Sequence, residues 1–221
     1  VMAASLFVLG PLPGVERPPV GARFPAQRGE VLVLDAGANV DARPEQLHQF
    51  ARLGAVYAAD LLGVERPRIG LLNVGEEEEK GNDVIVSAHR LLRADSSLRF
   101  VGNVEGHEII RGACDVLVCD GFVGNALLKF YESMAGFVLG LLREHFSRDR
   151  DELEEIFRFL DYTEYGGAPL LGVDGVAIIC HGASPAGAIK NAVGLAAQCV
   201  RSGMVPDMAR DLETLASGTP S

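Results

Sequence analysis

Four times along this chain a short apolar run breaks off into a loop rich in glycine and asparagine. After the first three, a helical pattern takes over within about ten residues, and after the fourth at once. The run Val31-Leu-Val-Leu-Asp35 is continuous and apolar, as buried parallel strands are. Pro44 then opens a helix in which Leu47, Phe50, Ala51, Ala58, Leu61 and Leu62 recur at helical spacing, and Gly63 ends it. Arg68 to Asn73 reads as the next strand, and Gly75 with Glu76 to Glu79 as the opening of a helix that reaches Arg93. Leu98 to Gly102 and Asp115 to Cys119 follow as strands. The segment after Gly121 reads as a long core helix as far as Glu144, with Lys129 and Glu132 on its wetter side. Asp149 to Leu160 reads as an amphipathic helix, and together they predict a helical hairpin over 136–160. Val173 to Cys180 reads as the last strand and Ser184 to Arg201 as the last helix, with Ser184 at the N-cap and Pro185 at N1. Pro11 to Pro25 reads as a connector, and the tail from Gly203 is polar and weakly patterned. This alternation predicts an α/β fold, a doubly wound and mostly parallel sheet in a single domain over 1–221, with ligands bound at the carboxyl ends of the strands.

A hydrophobic share of 48% over 221 residues suits such a domain, which buries enough core to fold without staples. The formal charge of −10 argues against a broad nucleic-acid or anionic-membrane footprint. Cys114, Cys119, Cys180 and Cys199 lack CxxC spacing and mostly lie in apolar runs, which fits a reducing cytoplasm. Gly10, Pro11, Pro13 and Gly14 interrupt the opening apolar stretch, so no run approaches the roughly 18 residues of a spanning helix. That opening has no basic n-region and reads as a core element cut in the middle, so the chain is expected to begin partway through a domain.

The loops at the strand ends are Asp35-Ala-Gly-Ala-Asn-Val-Asp41, Asn73-Val-Gly75 with Lys80-Gly-Asn82, Asp120-Gly-Phe-Val-Gly-Asn125 and His181-Gly-Ala-Ser184. Glycines let N–H groups approach an anion, helix N-termini add a favourable dipole, and Asn or Lys supplies aimed donors. Several such loops together point to a phosphate site. GxGxxG and GxxxxGK[ST] are both missing, and Gly182-Ala-Ser-Pro185 fails the GxSxG elbow. His48, His89, His107, His145 and His181 are scattered without ligand spacing, so no metal is expected.

Those loops, with Leu71-Leu-Asn-Val-Gly75, Gly102-Asn-Val-Glu-Gly106, Val118-Cys-Asp-Gly-Phe-Val-Gly-Asn125, Leu160-Asp-Tyr-Thr-Glu-Tyr-Gly-Gly-Ala-Pro-Leu-Leu-Gly172 and Ala188-Ile-Lys-Asn-Ala192, resemble the successive motifs of the PlsX-type phosphate acyltransferases. The six motifs run in family order from Val31 to Ala192. The family's amino-terminal portion, with its first glycine-rich loop, is missing. The resemblance implies a fold like that of isocitrate and isopropylmalate dehydrogenases. It also implies transfer of a fatty acyl group from acyl carrier protein to inorganic phosphate, without a cofactor, on the way to phospholipid. The implied partners are acyl carrier protein, a membrane glycerol-3-phosphate acyltransferase and a second copy in a homodimer. The hairpin is associated in the family with dimer packing and peripheral membrane contact. A phosphotransacylase using coenzyme A and a truncated inactive scaffold are the alternatives, while a dehydrogenase would need a metal-binding aspartate cluster that the sequence does not offer.

Within that frame Lys80 is the first candidate, as a cation beside Gly81 able to neutralise phosphate or an oxyanion. Asn125 is an oxyanion donor or else a helix cap. Asn39 and Asp41 are ligands or an Asx-turn, in equal measure. His181 donates to phosphate or the leaving thiolate, or bonds to backbone. Ser184 combines cap and ligand donor. Gly37, Gly81, Asn82, Gly121, Gly124 and Gly182 complete the expected phosphate and substrate contacts. Lys190 and Asn191 are as readily surface or packing residues as substrate contacts, and Glu105, Asp120 and Glu164 could orient donors.

Overall fold

The computed structural model describes residues 2–27, 29–145 and 166–217. Its strands are β1 (Gly21–Ala26), β2 (Gly29–Leu34), β3 (Arg68–Leu72), β4 (Arg99–Val104), β5 (Val116–Val118), β6 (Ala168–Leu170) and β7 (Ala177–Ile179). Its α-helices are α1 (Met2–Val8), α2 (Pro44–Leu62), α3 (Asp83–Ala94), α4 (Gly121–His145), α5 (Ala186–Ser202) and α6 (Met204–Ser217). The main sheet runs β1-β2-β5-β3-β4, and β6 pairs with β7 in a separate two-stranded ribbon. β2, β5, β3 and β4 are mutually parallel, and only β1 at the edge is antiparallel.

Both faces of this sheet are covered, which is why its strands read as continuous apolar runs. Leu32, Leu34, Ile69, Leu71, Val116 and Val118 point to the side where α2, α3, α5 and α6 contribute Leu47, Phe50, Leu92, Leu195 and Met208. Val31, Val33 and Leu117 point to the other, toward β6, β7 and Leu127 and Leu128 of α4. The fold is therefore α/β, doubly wound and mostly parallel, as the alternation of patterns predicts. Cys114, Cys119 and Cys199 are buried free thiols, and burial pushes that of Cys114 up to about 12. No described helix is long and apolar enough to cross a membrane.

α2 has the predicted ends. Pro44 starts it, Gln46 bonds back to the Arg43 N–H, and Gly63 closes it at φ 69. Elsewhere the structure differs from the sequence reading. Glu76 to Glu79 lie in a loop, because Gly81 turns at φ +94 and Asn82 caps α3 by accepting from the Ile85 N–H at 3.0 Å. Helix α5 begins at Ala186 with Pro185 as its N-cap, so Ser184 is one residue outside. The Pro11 to Pro25 connector contains the start of β1, whose Pro25 is tolerated on an edge strand. The expected strand Val173 to Cys180 shrinks to β7, which is antiparallel and outside the main sheet.

The polar tail is the helix α6, carried by Met204, Met208 and Leu212 at i, i+4 and i+8. The opening segment is α1, and only Ser5 is buried in it while Phe7 and Val8 are exposed. α4 is not a core helix along its length, since Phe130, Met134, Phe137 and Leu141 are exposed. The predicted helix Asp149 to Leu160, and with it half of the hairpin, lies outside the described residues.

Candidate functional site

Because β2, β5, β3 and β4 are parallel, the loops that follow them all emerge at one rim. The first is built around Asp35, which is fully buried. Its carboxylate accepts from the N–H groups of Val20 (3.0 Å), Gly37 (3.1 Å), Ala38 (3.0 Å) and Asn39 (2.6 Å), and from Asn39 Nδ2 (2.8 Å). The ring of N–H donors that the sequence marks as an anion cradle is thus filled by the chain's own anion. Asn39 also donates to the Pro18 carbonyl at 3.2 Å, so its amide orders the loop. Asp41 is exposed at the far end of this loop.

Helix α4 docks directly on that loop. A Cβ on Gly124 would fall 1.8 Å from the Asp35 carbonyl oxygen, and one on Gly121 would fall 2.8 Å from the Asn39 nitrogen. Both glycines serve close packing, and their N–H groups donate to Asp120 O (2.9 Å) and Asn39 O (2.8 Å). Asp120 caps α4 by accepting from the Val123 N–H at 2.9 Å. The capping role therefore falls to Asp120, and Asn125, one turn further in, lies against Gly37 with its amide in the cavity wall.

That cavity, of about 290 Å³, brings together the β2 loop, α4 and the residues around β6 and β7. Of the predicted site residues, Gly37, Asn125, His181 and Ser184 line it. Arg23 and Lys129 add positive charge and Glu132 a negative one, while Val20, Ala22 and Leu128 are among its apolar walls. Arg23 Nε donates to Glu30 at 2.6 Å, which balances its charge. Gly166 and Gly167 approach the backbone of Asn191 and of Ile179 so closely that no side chain fits at either. His181 Nδ1 accepts from the Ala183 N–H at 3.1 Å, which places the proton of the neutral ring on Nε2 as a donor. Gly182 is exposed with open space around it.

Lys80, Gly81 and Asn82 share the rim but not the cavity wall. Their loop follows β3, two strands along from β2 and so roughly 10 Å away. Lys80 is exposed, Asn73 Nδ2 donates to its carbonyl at 2.9 Å, and Asn82 is occupied as the cap of α3. Sequence reasoning missed Arg23 as a wall residue and noted Lys129 only as surface, whereas the Tyr165-Gly-Gly167 segment reads from sequence as a turn against the site. Lone cations carry no local signal, but the Gly166-Gly167 pair does. Among the described residues no cluster of three His, Cys, Asp or Glu side chains forms a metal-binding group.

A mostly parallel sheet with both faces covered is a fold found in solved structures whose sequences are distant from this one. A phosphotransacetylase from Streptococcus pyogenes superposes with a TM-score of 0.61 at 15% identity, covering 90% of this chain and 59% of that one. A branched-chain phosphotransacylase from Enterococcus faecalis gives 0.53 at 17% identity, over 83% and 66% of the two chains. At such identities the likeness is one of fold. Residues 1–206 match the family described as fatty acid synthesis protein, and the chain belongs to that family.

Among its relatives, the phosphate acyltransferase of Desulforamulus reducens is 48% identical over 96% of this chain and 66% of its own length. That of Halothermothrix orenii is 47% identical over 93% and 65%, and that of Parasynechococcus marenigrum 49% over 95% and 52%. The chain thus spans from about half to just under two thirds of these relatives.

Proposed function

We propose that this chain carries the catalytic rim of a phosphate acyltransferase, which moves a fatty acyl group from acyl carrier protein to inorganic phosphate. The observation that carries this reading is one cavity where the donors Asn125, His181 and Ser184 meet an apolar wall. The relatives named phosphate acyltransferase, 46–49% identical, support acyl transfer to phosphate.

A phosphate oxygen attacks the thioester carbonyl carbon, the C–O bond forms, and the C–S bond breaks. The proton that phosphate gives up ends on the departing sulfur, so acyl phosphate and free thiol leave in balance. Phosphate is already anionic at neutral pH, so positioning and oxyanion stabilisation dominate. The amide of Asn125 donates to the carbonyl oxygen. His181 Nε2–H donates to the sulfur, and the Ser184 hydroxyl steadies the phosphate. Lys80 draws the anion to the rim from the neighbouring loop. The apolar wall takes the start of the acyl chain. Acyl carrier protein, a membrane glycerol-3-phosphate acyltransferase, a second copy of the chain and the membrane surface are the partners this role entails.

Phosphate-dependent thiol release should be measured with acyl carrier protein and coenzyme A thioesters of one acyl chain. The protein is expected to prefer the carrier-protein donor. Asn125→Ala is expected to lose roughly 100-fold in turnover with little change in Tm, as when an oxyanion donor is removed, and Lys80→Ala to lose activity chiefly at low phosphate, again with little change in Tm. Preference for coenzyme A would recast the enzyme as a phosphotransacylase. Full activity in both variants would remove the site assignment, and silence in a folded wild type would point to a scaffold.

A further inference from the structure

The Lys80 loop is held by His89 of α3 and Asn103 of β4, which are 3% and 7% exposed. Asn103 Nδ2 donates to the Glu77 carbonyl at 2.7 Å. A carbonyl only accepts, so this bond fixes the amide's orientation and turns Oδ1 toward His89 Nδ1 at 3.0 Å. The imidazole must therefore donate, with its proton on Nδ1. Phe100 steadies the ring edge-on, with centroids 5.0 Å apart.

The same Glu77 carbonyl accepts from the Lys80 N–H at 3.1 Å, while Asn73 holds the Lys80 carbonyl from the other side. Lys80's peptide groups are thus fastened to β3 through Asn73 and to β4 through Asn103. His89 Nε2 is buried with no hydrogen-bond partner among the described residues. Such an orphan acceptor is unfavourable, and an apolar side chain would pack at that place without it. The imidazole earns its position by the one bond it makes to Asn103.

We propose that His89 and Asn103 are positioning residues, a buried pair that sets the Lys80 loop at the rim so that its ammonium draws phosphate toward the cavity. This deepens the reading of Lys80 given above and rests on it. Three variants test it: His89→Leu removes the donor, His89→Asn keeps an N–H near the Nδ1 place, and Asn103→Asp replaces the donor to Glu77 with an acceptor. Amide hydrogen exchange over residues 74–81 is expected to quicken roughly ten-fold in His89→Leu and Asn103→Asp, with α2 and β2 unchanged. The apparent KM for phosphate is expected to rise by about the same factor, with kcat altered less. His89→Asn should restore both.

Unchanged exchange over 74–81, equal quickening everywhere, or a His89→Asn no better than His89→Leu would overturn the proposal. If His89→Leu does not fold, Asn103→Asp decides alone. A loosened loop in a protein whose wild type shows no phosphate-dependent turnover would leave the fastening intact and refute the reaction. Turnover with an unaltered loop would do the reverse.

Discussion

At Gly124 a single added methyl group sets two effects against each other. Alanine in a helix interior is favoured over glycine by about 1 kcal/mol. Its Cβ would however lie 1.8 Å from the Asp35 carbonyl oxygen, a backbone atom whose loop is fixed by the buried Asp35 carboxylate. Overpacking of that kind costs about 1–3 kcal/mol or more, so the clash wins. Gly124→Ala is expected to lower Tm and displace Asn125, whereas Gly182→Ala, with nothing within 4 Å, should leave Tm unchanged. Thermal unfolding of the two variants checks this, and equal Tm values would mean that α4 does not seat on the Asp35 loop as described. The glycines at the rim are thus mostly devices for close packing, and the ligand donors are a few side chains beside them.

Between elements, one many-bonded tie is Arg52 of α2, only 5% exposed at its side chain. It bonds Asp211 at 2.7 Å and Thr214 at 2.9 Å in α6, and Asp95 at 3.1 Å and Ser97 at 2.9 Å beyond α3. Burial alone would raise the Asp95 carboxyl, but bonds from Ser97, His48 and Arg52 outweigh it and hold it at about 2. Since an unfolded aspartate titrates at about 3.9, this contribution is complete above that pH and is lost as pH falls through about 2. The Tm gap between wild type and Asp95→Asn should therefore narrow between about pH 4 and pH 2, and a constant gap would deny Asp95 its charge in this network.

Elements that carry their signal locally are legible in the sequence, and those defined by a distant partner are not. β2, α2 and β3 are plain because each carries a complete local signature, from the Val31 run through Gly63 to the run from Arg68 to Asn73. β1 is hidden because Arg23 and Pro25 suit only an edge strand, and its partner lies across a turn. α6 is hidden because its stripe of Met204, Met208 and Leu212 is narrow and spaced by polar residues. For the site, Asn125, His181 and Ser184 could be read from their loops. The capture of the Gly37 and Asn39 donors by Asp35 could not, since it depends on how the chain folds back.

At the scale of the molecule, four parallel strands deliver four loops to one rim of an otherwise acidic protein. Local donors then have to overcome a net charge of −10 to attract phosphate. The cavity lies toward β1 and the α5 entrance, and Lys80 lies on the side of β3. An anion drawn in by one and held by the other is the core of the account. Its most direct test is a crystal grown without phosphate and then soaked in it. The expected result is a tetrahedral anion bounded by Asn125, His181 and Ser184. An empty cavity at saturating phosphate, or an anion bound only at the opposite end of the sheet, would contradict it.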